Sequence, residues 1–536
     1  MAEDKVISVA LLSASCNIIL QVLVRIISSL SNAIIFRFIC REALGVINVR
    51  LLLLYSTCHC LSREAFRRSC LSTFDKKSLQ QKFNLLWLIV PVCFVCSFLL
   101  RYIWLYVLEK PDPTLVPDYT SGVNIVILSV LIESLAEPIY VFSQSCHFIK
   151  LKVVNEGLML TIRSFCMVVL LSRWPHSAMY CFCFSQILSS IVYTCSYYGY
   201  FTYYLKTNES NHDLLINSIA DTFPKLTMTF VHLEDLKLVW SFFKQTLLKQ
   251  LLTEGERYLM TFFSLLSFAE QGLYDVVNNL GSLAARFIFL PIEDSSYLLF
   301  TQLLPRNKSQ SQENITLCLT VLGNILKLMA LLGLTILVFG ISYSQLLLYL
   351  YGGTKLSSGI GLTLMRWHCF YVLLLAVNGI SEGFKFAVMS HVEIDRYNKN
   401  LVLLSISFLL ASYGLVTFFG SVGFILANCL NMLFRIVHSF FFIQNYFKIS
   451  KMWFLMKIMP HTVILLALSV IFCITYFTEA YFCCMTFKRW IWHLLCGGWC
   501  FLLLIVIIWN KEKALISFIQ EQWRMHNKTD AKLKST

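Results

Sequence analysis

The chain has 536 residues, of which 57% are hydrophobic and only 14% charged, and its formal net charge is +14 with a mean hydropathy of +0.68. That composition excludes a soluble globular domain and describes an all-α, polytopic membrane protein. The positive charge lies mostly between apolar runs, so it reads as membrane topology, and no nucleic-acid partner is expected.

Apolar stretches of at least about 18 residues, enough to cross a hydrocarbon core roughly 30 Å thick, recur from end to end. About 14 transmembrane helices are expected, over residues 8–38, 44–66, 83–106, 119–145, 152–173, 176–204, 238–263, 270–303, 316–341, 357–388, 399–417, 421–446, 459–479 and 490–510. Continuous runs of this kind exclude transmembrane strands, which alternate. The seventh and eighth carry enough charge for a hydropathy window to pass over one of them.

Polar residues form stripes on several of these helices. On the first, Asn17, Gln21, Arg25, Ser28 and Asn32 cover an arc of about 80° at 100° per residue. On the second, Asn48, Tyr55, His59, Ser62 and Arg63 share an arc of about 100°. The seventh aligns Gln245, Lys249, Thr253 and Glu256, and the eighth aligns Asp275, Asn278, Asn279, Ser282, Arg286 and Glu293, unless Pro291 turns the last away. An ionised side chain at mid-bilayer costs roughly 3 kcal/mol on insertion scales, so these groups should face a wet cavity or one another. Arg37 and Arg50 sit opposite their helices' stripes.

The second helix ends in LSREAFRRSC, residues 61–70. Glu64 and Arg68 stand four apart in the order that favours pairing. Arg63 and Arg67 are then left without an internal partner, and two stacked guanidinium forks suit a phosphate diester or diphosphate. On this reading Arg63→Ala and Arg67→Ala do more harm than Arg68→Ala. The rival reading is anchoring of the helix to anionic lipid.

Loops after even-numbered spans are richer in Lys and Arg, which places both termini in the cytoplasm. Asn208, Asn307, Asn314 and Asn527 head Asn-x-Ser/Thr sites, all on the expected cytoplasmic side. Lys532 and Lys534 in the tail KLKST resemble a di-lysine retrieval signal of the endoplasmic reticulum. MAEDKVISV leads into a span too long for the apolar region of a signal peptide. Most of the 20 cysteines lie inside apolar spans, where they act as small hydrophobes, and no zinc spacing is present, so neither a metal nor a cofactor is expected. GxxxxGK[ST], HExxH and GxSxG motifs are missing, and no enzyme is expected.

A short internal similarity relates FRFICREALGVINV, residues 36–49, to FSLLSFAEQGLYDV, residues 263–276, with Gly45 opposite Gly272. It organises the chain as a six-helix bundle over 1–204, a polar cytoplasmic linker over 205–237, a second six-helix bundle over 238–446, two further helices over 447–510 and a basic cytoplasmic tail over 511–536. Paired bundles with a site between them are a common transporter plan.

The runs QVLVRIISSLSNAIIFRF (21–38), GVINVRLLLLYST (45–57) and SREAFRR (62–68) closely resemble the N-terminal signature of the eukaryotic Rft family. The resemblance continues in LKVVNEGL (151–158), FAEQGLYDVVNNLGSLAARFIFLPIEDSSY (268–297) and NGISEGFKFAV (378–388), and so covers nearly the whole chain. It implies an endoplasmic reticulum protein of the multidrug/oligosaccharidyl-lipid/polysaccharide exporter superfamily. The implied activity is movement of dolichol-pyrophosphate-linked oligosaccharide from the cytosolic to the lumenal leaflet for N-glycosylation. The implied partners are that glycolipid, membrane lipid and enzymes of its pathway. The positions put forward for the diphosphate are Arg25, Arg37, Arg63, Arg67, Lys152 and Arg286, with Glu293. Asn17, Gln21, Asn48, Lys249, Glu256, Asp275, Asn278 and Asn279 are put forward for the sugar and the cavity wall. The competing reading is a non-transporting accessory that binds the glycolipid.

Overall fold

A computed structural model describes residues 30–70, 79–146, 148–207, 218–225, 231–304, 311–450, 456–482 and 487–517, with residues 27, 216 and 520. Asn17, Gln21 and Arg25, and with them most of the first expected span, lie outside the described residues. Among the described residues the regular structure is helical.

A helical stretch over 30–38 leads into α1 (Arg41–Cys70), followed by α2 (Leu79–Val107), α3 (Tyr119–Ser134), α4 (Glu137–Ser145), α5 (Ile149–Arg173) and α6 (Ala178–Thr207). Then come α7 (Leu233–Thr253), α8 (Gly255–Phe262), α9 (Phe268–Gly281) and α10 (Leu290–Leu303). The chain continues with α11 (Gln312–Gly352), α12 (Ile360–Val388), α13 (His391–Phe419), α14 (Val422–Phe447), α15 (Thr462–Phe482) and α16 (Phe487–Lys511).

Among the described residues, 10 helices are long and apolar enough to cross a membrane, or 11 if the bent pair α3 and α4 is one span. The segments expected as spans seven and eight do not qualify, because Glu234, Asp235, Lys237, Lys244 and Lys249 load α7, which begins before the seventh expected span, and breaks divide both segments. α11 runs for 41 residues, about 61 Å at 1.5 Å per residue, twice what the hydrocarbon core requires.

The chain forms two compact units, residues 1–272 and 273–536. In the first, α6 packs along α3 and α5, and Phe83, Phe142, Tyr197 and Phe201 fill the core. α7 lies on the end of α1, burying only Val239 and Thr246 of its own residues. Gly45 and Gly272 approach so closely that a Cβ on Gly272 would stand 2.8 Å from the Gly45 nitrogen, and one on Gly45 would stand 1.9 Å from the Phe268 carbonyl oxygen. Neither site has room for a side chain.

In the second unit α12 packs along α10, α11 and α14 around Phe300, Leu322, Met329 and Phe384. α15 and α16 form a pair against α11 through Leu331, Val338, Ile464, Leu468 and Leu504. Gly420, at φ 58°, permits the tight turn between α13 and α14 that an L side chain would strain. Ser390 and Glu393 form a capping box that starts α13.

Two helices contain three π-helical turns, Val46–Leu51 and Cys60–Glu64 in α1 and Ile103–Val107 in α2; a fourth turn, Ala285–Phe289, precedes α10. A π turn fits extra chain into the helix and rotates everything beyond it relative to an ideal helix. The stripes expected at 100° per residue are therefore re-aimed.

Candidate functional site: a cationic cavity on the first unit

The second half of α1 brings Tyr55, His59, Arg63 and Arg67 to one side, facing α3 and α4. Two carboxylates meet them. Glu133 and Glu137, four residues apart on either side of the 45° bend between α3 and α4, are 1% and 0% exposed. Glu137 accepts two hydrogen bonds from Arg67, Nε to Oε2 and Nη2 to Oε1, each 2.6 Å, and a third from Arg63 Nη1 at 3.1 Å. Glu133 accepts from Tyr55 Oη at 2.6 Å and Ser190 Oγ at 2.7 Å, while His59 Nε2 lies 3.0 Å away. The Arg67 guanidinium also lies over the Tyr140 ring, 3.9 Å from its centroid, with Lys152 Nζ at 5.9 Å from the same ring. Every buried charge in this cluster therefore has an opposite charge within reach, as a low-dielectric interior demands.

This corrects the expectation that Arg63 and Arg67 have no internal partner. Both are held by Glu137, and Glu64 stands 3.8 Å from Arg67 Nη1. The reason is that Arg63 and Arg67 stand four apart on α1 and present two cations to Glu133 and Glu137, which flank the bend between α3 and α4.

Beside the cluster, α1 and α7 enclose a cavity of about 330 Å³. Arg63, Arg68 and Lys249 line it with Glu64, and Ser56, Thr246, Gln250 and Thr253 add hydroxyl and amide groups. Three cations face one carboxylate, and Arg63 is shared with Glu137. Such a wall suits a dianionic group with several acceptor oxygens, because planar guanidinium forks bind phosphate in bidentate fashion and the ammonium adds a point charge.

The other candidate residues fall elsewhere. Asn48 lies before Tyr55 along α1, and the π turn at 46–51 re-phases the helix there; it lines a second cavity, of about 90 Å³, with Asn32 and Arg163. Arg37 is exposed on the 30–38 stretch, while Arg50 is fully buried, donating to the Glu109 carbonyl oxygen at 3.1 Å. Glu256 is half-buried on α8, past the break at Glu254 that ends α7.

On the second unit Asp275 accepts from Asn279 at 3.0 Å, and Arg286, in the π turn beyond α9, reaches the Asn279 amide oxygen at 3.5 Å, which links these three side chains. Asn278 beside them is half-buried. Glu293, rotated by the 285–289 π turn, packs against Gly379 of α12.

Glu133, Glu137 and Arg163, and on the second unit Glu382, Lys385 and Arg435, stand outside the polar stripes and site positions expected from the sequence. The signal was present: carboxylates four apart in the apolar run SVLIESLAEPIY require cationic partners inside the membrane.

These features define a multi-span helical membrane protein with a cationic cavity in its N-terminal unit. The chain belongs to the Rft protein family, whose sequence pattern matches residues 10–522. It is 44% identical over 532 residues to the Man(5)GlcNAc(2)-PP-dolichol translocation protein RFT1 of Mus musculus, covering 97% of this chain and 98% of the relative. The protein of the same name from Xenopus tropicalis is 43% identical over 529 residues, with the same coverage of both chains. The fold is similar to that of the lipid II flippase MurJ in an inward closed conformation, with a TM-score of 0.63 over 92% of this chain and 99% of that one at 12% identity.

Proposed function

We propose that this protein carries a dolichol-diphosphate-linked oligosaccharide across the endoplasmic reticulum membrane, from the cytosolic to the lumenal leaflet, for protein N-glycosylation. The observation that carries the reading is the cavity lined by Arg63, Arg68 and Lys249, a cationic, hydroxyl-bearing recess in a chain otherwise built for lipid. The diphosphate sits among these three cations. The sugar hydroxyls, which cannot cross hydrocarbon without hydrogen-bond partners, meet amide and hydroxyl side chains, and the polyprenyl tail stays in the bilayer. The protein does no covalent chemistry on the glycolipid.

The reading includes 14 spans in two six-helix bundles, a pair of C-terminal helices and cytoplasmic termini. The charge pattern of the loops supports this orientation, and the contact of Gly45 with Gly272, matched positions of the internal similarity, is in keeping with a repeat.

The test is reconstitution of the purified full chain in vesicles containing a diphosphate-linked chitobiose lipid, with exchange between leaflets read by a sugar-binding probe added outside. Exchange well above that of protein-free vesicles is expected. Binding of the lipid without faster exchange would leave an accessory that holds the glycolipid for other components.

A further inference from the structure

The second cavity of the first unit has a composition unlike the cationic one. Asn32, Asn48, Arg163, Ser164 and Ser185 contribute polar groups, and the rest of the wall is apolar, two rings (Phe36 and Phe182) among aliphatic side chains. Arg163 lies midway along α5, and Nη1 donates a long hydrogen bond of 3.4 Å to Gln186 Oε1. No carboxylate lies within ion-pair distance of Arg163 among the described residues. A guanidinium kept in the middle of a membrane span without a carboxylate is expensive unless something else uses its donors.

Size limits what that can be. The cavity measures about 90 Å³. An apolar cavity of about 150 Å³ takes one benzene ring, so a whole pyranose does not fit here, while a single water needs only roughly 10–15 Å³. A planar group of one carbonyl, one N–H and one methyl does fit. Its carbonyl oxygen accepts from Arg163 or an Asn amide, its N–H donates to an Asn or Ser oxygen, and its methyl meets the apolar wall.

We infer that this cavity receives an N-acetyl substituent of the sugar nearest the diphosphate. The inference rests on the function proposed above and names a subsite within it. Position supports it: Leu52 lines this cavity and Tyr55 the cationic one, three residues or about 4.5 Å of helix rise apart. Arg163 is within electrostatic reach of Tyr55, which lines the cationic cavity.

The experiment compares two lipids on the detergent-solubilised full chain: phytanyl diphosphate bearing di-N-acetylchitobiose, and the same lipid bearing cellobiose, which has hydroxyls where the first has acetamido groups. Dissociation constants are measured for the parent protein, Arg163→Gln, Asn48→Leu and Arg63→Ala. The chitobiose lipid is expected to bind the parent about tenfold more tightly than the cellobiose lipid, the equivalent of one or two hydrogen bonds. Arg163→Gln and Asn48→Leu should bring that ratio toward one by weakening the chitobiose lipid alone, and Arg63→Ala should weaken both lipids alike. A ratio near one in the parent protein overturns the subsite without recourse to any variant, as does an unchanged ratio in folded Arg163→Gln. If neither lipid binds better than phytanol, the proposed function itself falls, and the subsite with it.

Discussion

Both units bury carboxylates on a helix that runs through their cores, but they neutralise them differently. On the first unit Glu133 and Glu137 draw their cations from α1, the helix that also lines the cationic cavity. On the second, Glu382 of α12 pairs with Arg435 of α14, accepts from Tyr397 Oη of α13 at 2.7 Å and from Asn378 of its own helix at 3.1 Å. Lys385, fully buried, lies 3.4 Å from the centre of the Tyr397 ring and donates to Ser439 at 3.1 Å. The second cluster ties three neighbouring helices together. The first ties α1 to the bend between α3 and α4 and, through Arg63, reaches the wall of a cavity, so charge pairing and ligand recognition share a side chain there.

The largest test of this contrast is Glu137→Ala. It leaves Arg67, only 12% exposed, and part of Arg63 without their carboxylate, and breaking a buried pair from one side costs roughly 3–5 kcal/mol. The yield of folded protein after mild detergent extraction and its melting temperature should both fall sharply. Removing the opposite charge as well, in Glu137→Leu with Arg67→Met, should restore much of the loss. A single variant as heat-resistant as the parent would show that this cluster does not hold α1 to the bend.

Glu382→Gln is expected to cost less, about 1–3 kcal/mol, because the amide keeps an acceptor for Tyr397 and Arg435 is 25% exposed and can hydrate. The melting temperature is again the readout. A larger drop than that of Glu137→Ala would reverse the ranking of the two clusters.

How much of this was legible in the sequence follows from what sets each feature. Span positions follow from apolar run length alone, so α1, α2, α5, α6 and α11 to α16 coincide with expected segments. α11 runs to Gly352, past the expected end at 341, because helix length beyond the membrane is set by packing and not by apolar run length. Register was the weaker part. A π turn changes no residue type, so nothing in VINVRL announced that Asn48 and Tyr55 would serve different cavities. The polar stripe on α1 was real, but its phase was not constant. The charge partners were readable in principle, since Arg63/Arg67 and Glu133/Glu137 share one spacing. Local spacing favours Glu64 with Arg68, and a contact across 70 residues gives no such local sign.

The cavity wall separates ligand recognition from stability more cleanly than either cluster does. Arg68 and Lys249 line it, and neither belongs to the Glu137 network described above, so Arg68→Ala and Lys249→Ala should each change stability by no more than about 0.5 kcal/mol. Each should slow leaflet exchange of the diphosphate lipid about tenfold, the scale of one charge-assisted hydrogen bond. Arg67→Ala should show the converse, with protein lost before transport can be read. Lys152 gives the finest test. It shares the Tyr140 ring with Arg67, but at 5.9 Å where Arg67 stands at 3.9 Å, and at that range a cation–π contact contributes at most about 0.5–1 kcal/mol. Lys152→Gln should leave abundance and melting temperature almost unchanged and reduce exchange less than twofold. If exchange instead falls as far as it does in Arg68→Ala, then the Tyr140 side of the cluster, filled here by Arg67, opens to the diphosphate during transport, and Glu137 is the counter-ion that the substrate displaces.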